Sequence, residues 1–293
     1  MSEATYAPEL ETIANYGCDT TEGPLWHVAE RALYWLDIPP GRIYRYDPAS
    51  GEHGLVHDAG EPIGGFTIQA DGGLLLFGDH GAIRLWRDGA AATLRDDIPE
   101  ERGTRFNDVI ADPEGRVFAG TMPDGERPGR LWRLDPDGSL HVALEDAGLS
   151  NGMGFTPDLA AFYHTDSDKG TIARYPYDRA TGALGPGETI VRIPAADGVP
   201  DGMAVDDAGN IWSARWDGAA LFHYAPDGTL LGSVAFPARK VASITFGGPD
   251  YADAYVACAG GGIGPEEGPA AGALMRTRLG VRGRPAFLSR IGL

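Results

Sequence analysis

The chain has 293 residues, with 42 Asp plus Glu against 24 Lys plus Arg and a formal net charge of −18. So acidic a protein repels nucleic acid and anionic membrane surfaces, and no apolar run approaches the roughly 18 residues of a membrane-crossing helix. Its 43 glycines, 22 prolines and 43% hydrophobic content describe a turn-rich chain with enough apolar surface for a core.

The first residues, MSEATYAPELETIANY, show no basic stretch followed by an apolar one, so no secretory leader is read there. Two cysteines, Cys18 and Cys258, are too few for a disulfide framework and read as buried free thiols, which together with the missing leader predicts a cytoplasmic protein. Lys169 and Lys240 are the only lysines. Either a coding bias towards arginine or a high-salt cytoplasm explains that; the second predicts a melting temperature that rises in molar KCl.

In chain order, PELETIANY (8–16) reads as a strand, and six similar units follow. Their most apolar runs are ALYWLDI (32–38), LLLFGD (74–79), VFAGTM (117–122), AFYHTD (161–166), IWSARW (211–216) and AYVACA (254–259), with starts 42, 43, 44, 50 and 43 residues apart. Each is preceded by a shorter run such as GPLWHV or GMAVDD. Each is followed by another, such as GRLWRLDPDG or ALFHYAPDG, and most of these end in Asp/Pro/Gly turn chemistry. Six copies with three recognisable strands and room for a fourth predict a single all-β domain over 1–293, a six-bladed β-propeller of four-stranded antiparallel blades. The 50-residue interval places a longer loop in blade four. Residues 8–16 are expected to close the ring as an outer strand of the last blade, beside AFLSRI (286–291).

Ten residues before the second run of each unit stand Glu22, Gly64, Asn107, Asn151 and Asp201, with Ala242 or Ile244 in blade six depending on an insertion. Each of these positions heads the innermost strand, at the mouth of the central channel. A lone Asn or Asp there is ordinarily a turn residue. Four oxygen-bearing side chains at one register from different blades suit a hard divalent cation such as Ca²⁺, Mg²⁺ or Mn²⁺. Small neighbours, Gly23, Gly65, Gly152 and Gly202, let backbones crowd at a narrow mouth. In an antiparallel meander, loops after the second strands lie over the same face. This brings Asp124 and His80 to the rim, His80 as a solvated turn residue or a substrate contact. Asp37, Asp79 and Asp166 recur at one register and read as turn residues. Glu266 and Glu267 read as a solvated acidic tip.

EGPLW (22–26), RFND (105–108), AGTM (119–122), SNGM (150–153), PDGMAVDDAGNIW (200–212) and FGG (246–248) resemble the senescence-marker/gluconolactonase (regucalcin-like) family over essentially the whole chain. The resemblance implies one divalent cation (Ca, Mg, Mn, Zn or Fe(II)) on Glu22, Asn151 and Asp201, and substrate contacts from Arg105, Asn107 and Asp124, relatives often having Glu at the last. It implies hydrolysis of a sugar lactone to the aldonic acid, for which Asp201 is the candidate general base. The alternatives are a propeller phosphotriesterase of the diisopropylfluorophosphatase type, a calcium-binding regulator and a non-catalytic scaffold. No GxSxG motif supports a serine esterase. A closed propeller is expected to be a monomer, a dimer being the alternative.

Overall fold

A computed structural model describes residues 4–125, 127–262 and 264–293; Glu126 and Ile263 lie outside the described residues. Six antiparallel sheets form a six-bladed β-propeller. The innermost strands are Thr21–His27, Ile63–Ile68, Phe106–Ala111, Ser150–Phe155, Val199–Val205 and Lys240–Gly247. Among the described residues no helix is long and apolar enough to cross a membrane.

The turn chemistry acts as its sequence dictates. In blades three and five a Pro-Asp-Gly turn joins the third and fourth strands. Gly138 N–H donates to the Asp135 carbonyl and Gly228 N–H to that of Ala225, both at 2.9 Å. The turn aspartates, Asp137 and Asp227, accept the N–H of Ser139 and Thr229 at 2.9 Å. Gly138 and Gly228 sit at φ 85° and 87°, where a side chain would be strained.

Apolar residues on both faces of each blade fill the gaps between neighbours. Phe66 and Leu36 share the gap of blades one and two. Phe77 and Phe106 meet edge to face between blades two and three, with ring centroids 5.3 Å apart. Trp26 of blade one stacks on Tyr255 of blade six at 6.2 Å, and the ring closes across this gap. Both thiols, Cys18 and Cys258, are buried and free. Burial pushes Cys18 up to about 11 and Cys258 up to about 12, so neither offers a thiolate.

The N-terminal strand closes the last blade, with a different partner from the one expected. Leu10–Asn15 pairs with Ala273–Thr277. AFLSRI is not the neighbouring strand. After Thr277 the chain leaves the sheet through Gly280 and Pro285, and residues 284–287 floor the lower end of the channel. Ser289 N–H then donates to Ile68 O at 2.9 Å, and Gln69 grips Ile291 through both ends of its amide. The blade-six edge was already filled by Leu10–Asn15, which left this segment to strap the opposite face. Ala4–Tyr6 adds a parallel strand to Leu230–Ala235 of blade five, so the N-terminal segment ties blades five and six together. The blade-four insertion forms an extra two-residue strand, Ala183–Leu184.

Candidate functional site

The inner strands break register just where they enter the channel. Ladder irregularities fall at Glu22/Leu25, Ile63/Gly65, Phe106/Val109, Ser150/Met153, Pro200/Met203 and Val241/Ser243. A bulge frees backbone from the ladder and re-aims the side chain. Glu22, Asn107, Asn151 and Asp201 stand at these breaks, and all four line one cavity of about 290 Å³ with Arg105, Ser167 and Trp216. In blade six the bulge skips Ala242, which settles the two readings of that repeat in favour of Ala242. Blade two supplies glycine at this level for a steric reason: a methyl at Gly64 would overlap the Phe106 carbonyl oxygen of the next blade.

Glu22, Asn151 and Asp201 keep only 5%, 5% and 6% of their surface exposed. The Asn151 amide donates to Ser167 Oγ at 3.2 Å, and its nearness pulls the Asp201 carboxyl down in part. Ser167 Oγ in turn donates to Pro200 O at 2.6 Å. This arrangement spends the nitrogen end of Asn151 and leaves Oδ1 buried with no partner. An orphaned buried carbonyl beside two carboxylates is the donor set of a hard divalent cation. Among the described residues no three His, Cys, Asp and Glu side chains form a ready-made metal cluster; the set here mixes two carboxylates with an amide.

Burial holds the Glu22 and Asp201 carboxyls well above the usual carboxylate range; repulsion from Asp201 and Asp108 adds to it for Glu22, and repulsion from Asp108 for Asp201. Glu22 Oε2 accepts Gly23 N–H at 2.7 Å, and this bond and the nearby Ser243 side chain offset part of that rise. A bound divalent charge would favour the ionised forms of both.

Arg105 and Asn107 form a unit. Arg105 Nη1 donates to Asn107 Oδ1 at 2.8 Å and to Phe106 O at 2.9 Å, while Asn107 Nδ2 donates to Ser150 O at 3.0 Å. Both ends of the Asn107 amide are therefore engaged, and the residue holds the guanidinium over the cavity. Burial works against the Arg105 charge, and Glu22, Asp108, Asp79 and Asp201 sustain it.

Asp124 and His80 do not line this cavity. Asp124 pairs with Arg127, Oδ2 to Nε at 3.0 Å and Oδ1 to the backbone N–H at 3.0 Å. His80 sits in a left-handed turn at φ 55° with its side chain 58% exposed, and Nδ1 lies 2.6 Å from Arg102 O. Asp79 and Asp166 accept backbone N–H groups of their own turns, from His80 and Lys169, whereas Asp37 accepts that of Thr20 at the entrance of the neighbouring strand, all at 3.0 Å. The acidic-tip reading fails for Glu267. This residue is buried, and its Oε2 accepts from Lys240 Nζ at 2.7 Å.

Sequence reasoning passed over Asp108 and Ser243. Both stand one residue past the register, where blades one, two, four and five carry Gly23, Gly65, Gly152 and Gly202. Burial pushes the Asp108 carboxyl up to about 7 against the lowering pull of Arg105. Asp108 and Ser243 also line a second, lower cavity of about 190 Å³, floored by residues 284–287. A carboxylate breaking a glycine pattern was the available signal.

Residues 20–260 match the family described as SMP-30/Gluconolactonase/LRE-like region. The chain belongs to this family. It is 47% identical to pentonolactonase XacC of Haloferax volcanii over 288 residues, 96% of this chain and 98% of that one. It is 34% identical to 6-deoxy-6-sulfogluconolactonase of Pseudomonas putida, covering 89% and 92% of the two chains. A crystal structure of regucalcin, a calcium-binding protein from Agrobacterium tumefaciens, superposes with a TM-score of 0.91 at 23% identity, covering 99% and 100% of the two chains; at that identity the likeness speaks for the fold.

Proposed function

We propose that this family member is a sugar lactonase, a single six-bladed domain that hydrolyses an aldonolactone to its aldonic acid with a divalent cation held by Glu22, Asn151 and Asp201. The observation that carries the reading is the meeting of two buried carboxylates and the unpartnered Asn151 carbonyl oxygen beneath a fixed guanidinium. Likeness to a pentonolactonase and to a sulfogluconolactonase over nearly the whole chain supports the substrate class. The first of these makes a five-carbon lactone the substrate to try first.

When bound, the cation supplies a Lewis acid for the lactone carbonyl and its developing negative charge. Asp201 takes a proton from the water as the water oxygen bonds to the carbonyl carbon, the ester C–O bond of the ring breaks, and the proton held by Asp201 passes to the freed alkoxide oxygen. Glu22, anchored by Gly23 N–H, would help hold the cation. Arg105 offers a planar fork of donors to substrate oxygens, and Asn107 keeps that fork from swinging away. Asp124 acts through Arg127 to shape the rim loop. His80, exposed and outside the cavity lining, carries no step.

Calorimetry on chelator-stripped protein tests the cation site apart from turnover. Titration with Ca²⁺, Mg²⁺, Mn²⁺ and Zn²⁺ should show one site for at least one ion. Asn151→Ala should weaken it about tenfold or more, roughly 1.4 kcal/mol. No binding of any of the four ions to the wild type would remove the metal from this account.

A further inference from the structure

One wall of the candidate cavity does none of the chemistry above. Trp216 ends the strand Ile211–Trp216 and lies opposite Val199 in the blade-five ladder; both line the cavity, with Leu149, Met122 and Ile38 also on its apolar part. Glu22, Asn151, Asp201 and Arg105 form the polar part. The apolar residues come from the same blades as the polar ones, around a volume near the small end for ligand sites, and Trp216 is the bulkiest of them.

The indole is braced from behind. Lys240 Nζ stands 5.4 Å from the Trp216 ring centroid. The same ammonium donates to Asp217 Oδ1 at 2.9 Å and to Glu267 Oε2 at 2.7 Å. Arg239 Nε reaches Asp217 Oδ1 at 3.1 Å, and the Arg239 backbone N–H donates to Glu267 O at 2.8 Å. Glu267 is buried within the loop between the second and third strands of blade six. One of the two lysines in an otherwise arginine-based chain thus locks two rim segments around a single aromatic side chain. Bracing of this kind suits a surface whose position must be fixed, because a loose wall discriminates poorly.

We infer that Trp216 is the specificity wall of the site: its ring packs on the C–H face of the bound sugar lactone and sets the chain length accepted, with Lys240 as its positioning residue. A lactone whose carbonyl lies among the carboxylates has its hydroxyls met by Arg105 and its apolar C–H face left to the bulkiest apolar side chain of the lining, Trp216. A hexonolactone differs from a pentonolactone by one hydroxymethylene unit. A rigid indole can exclude such an increment, and one carbon's worth of space shifts specificity by about tenfold or more.

The inference rests on the lactonase reading, and the two can fail separately. Initial rates of acid release by the metal-loaded protein are measured on matched pentono- and hexonolactones for wild type, Trp216→Ala and Trp216→Phe. The expected result is a hexono-to-pentono ratio of kcat/KM raised about tenfold in Trp216→Ala, mainly through KM, with Trp216→Phe close to wild type. A ratio within about threefold of wild type in Trp216→Ala overturns the specificity role, whatever happens to the absolute rates. Should Trp216→Ala not fold, Trp216→Leu takes its place under the same criterion. A wild type inactive on every lactone defeats the lactonase reading, and this inference with it, before any variant is compared.

Discussion

Asp201→Asn is expected to lower lactone turnover by roughly 10² to 10⁴-fold, the range for loss of a positioned general base. The change is nearly isosteric. It keeps an oxygen facing the cavity and removes the charge and the proton-accepting capacity together. The surroundings should tolerate it, since Asp201 is buried beside Asn151, Glu22 and Asp108, and an uncharged amide relieves the repulsion that helps raise the Glu22 carboxyl. Folding should therefore survive, as judged by an unchanged near-ultraviolet spectrum, while metal affinity falls. Assaying the variant at saturating metal separates the two losses. Turnover within about tenfold of wild type under that condition would show that another group takes the proton; the buried carboxyl of Asp108 would then be the first to test.

Glu101→Ala is expected to cost about 3 kcal/mol of stability, at the lower end of what is lost when one partner of a buried ion pair is removed. Glu101 is fully buried at the end of the 3₁₀ turn Pro99–Glu101. Its Oε1 accepts Trp132 Nε1–H at 2.9 Å, and its Oε2 accepts from Arg127 at 2.7 Å, with Arg130 a further 3.6 Å contact. Without it, two guanidiniums and an indole N–H lose their common acceptor. Both arginines keep about a fifth of their side-chain surface in solvent, which limits the loss. The variant also frees Arg127, which fixes Asp124 in the rim loop, so KM for the lactone should rise as well. Urea denaturation reads the first effect as a lower midpoint with an unchanged slope. A midpoint equal to wild type would show that the buried carboxylate adds nothing to the fold.

The architecture was legible because it repeats. Six apolar runs at near-constant spacing, each followed by turn chemistry, leave little besides a propeller, and the strands fall where those runs stand. The register argument likewise brought Glu22, Asn107, Asn151 and Asp201 to one cavity, because equivalent positions in a closed ring converge on its axis. What the repeat does not encode was missed. AFLSRI has the length and composition of a strand, yet its slot was taken by residues nearly the whole chain away, and pairing across that separation leaves no local mark. Asp108 and Ser243 lie one residue beyond the register that carries Asn107 and Ala242. Glu267 looked solvated because a Gly- and Pro-rich acidic segment ordinarily is; its partner, Lys240, lies 27 residues earlier.

The most direct measurement is acid release from a panel of pentono- and hexonolactones by chelator-stripped protein, with and without each added divalent ion. The account predicts negligible hydrolysis of every lactone by the stripped protein, recovery on adding at least one ion, and a pentonolactone among the substrates. Full activity in excess chelator would contradict the metal's role, and no acid release from any lactone under any metal would contradict the function itself.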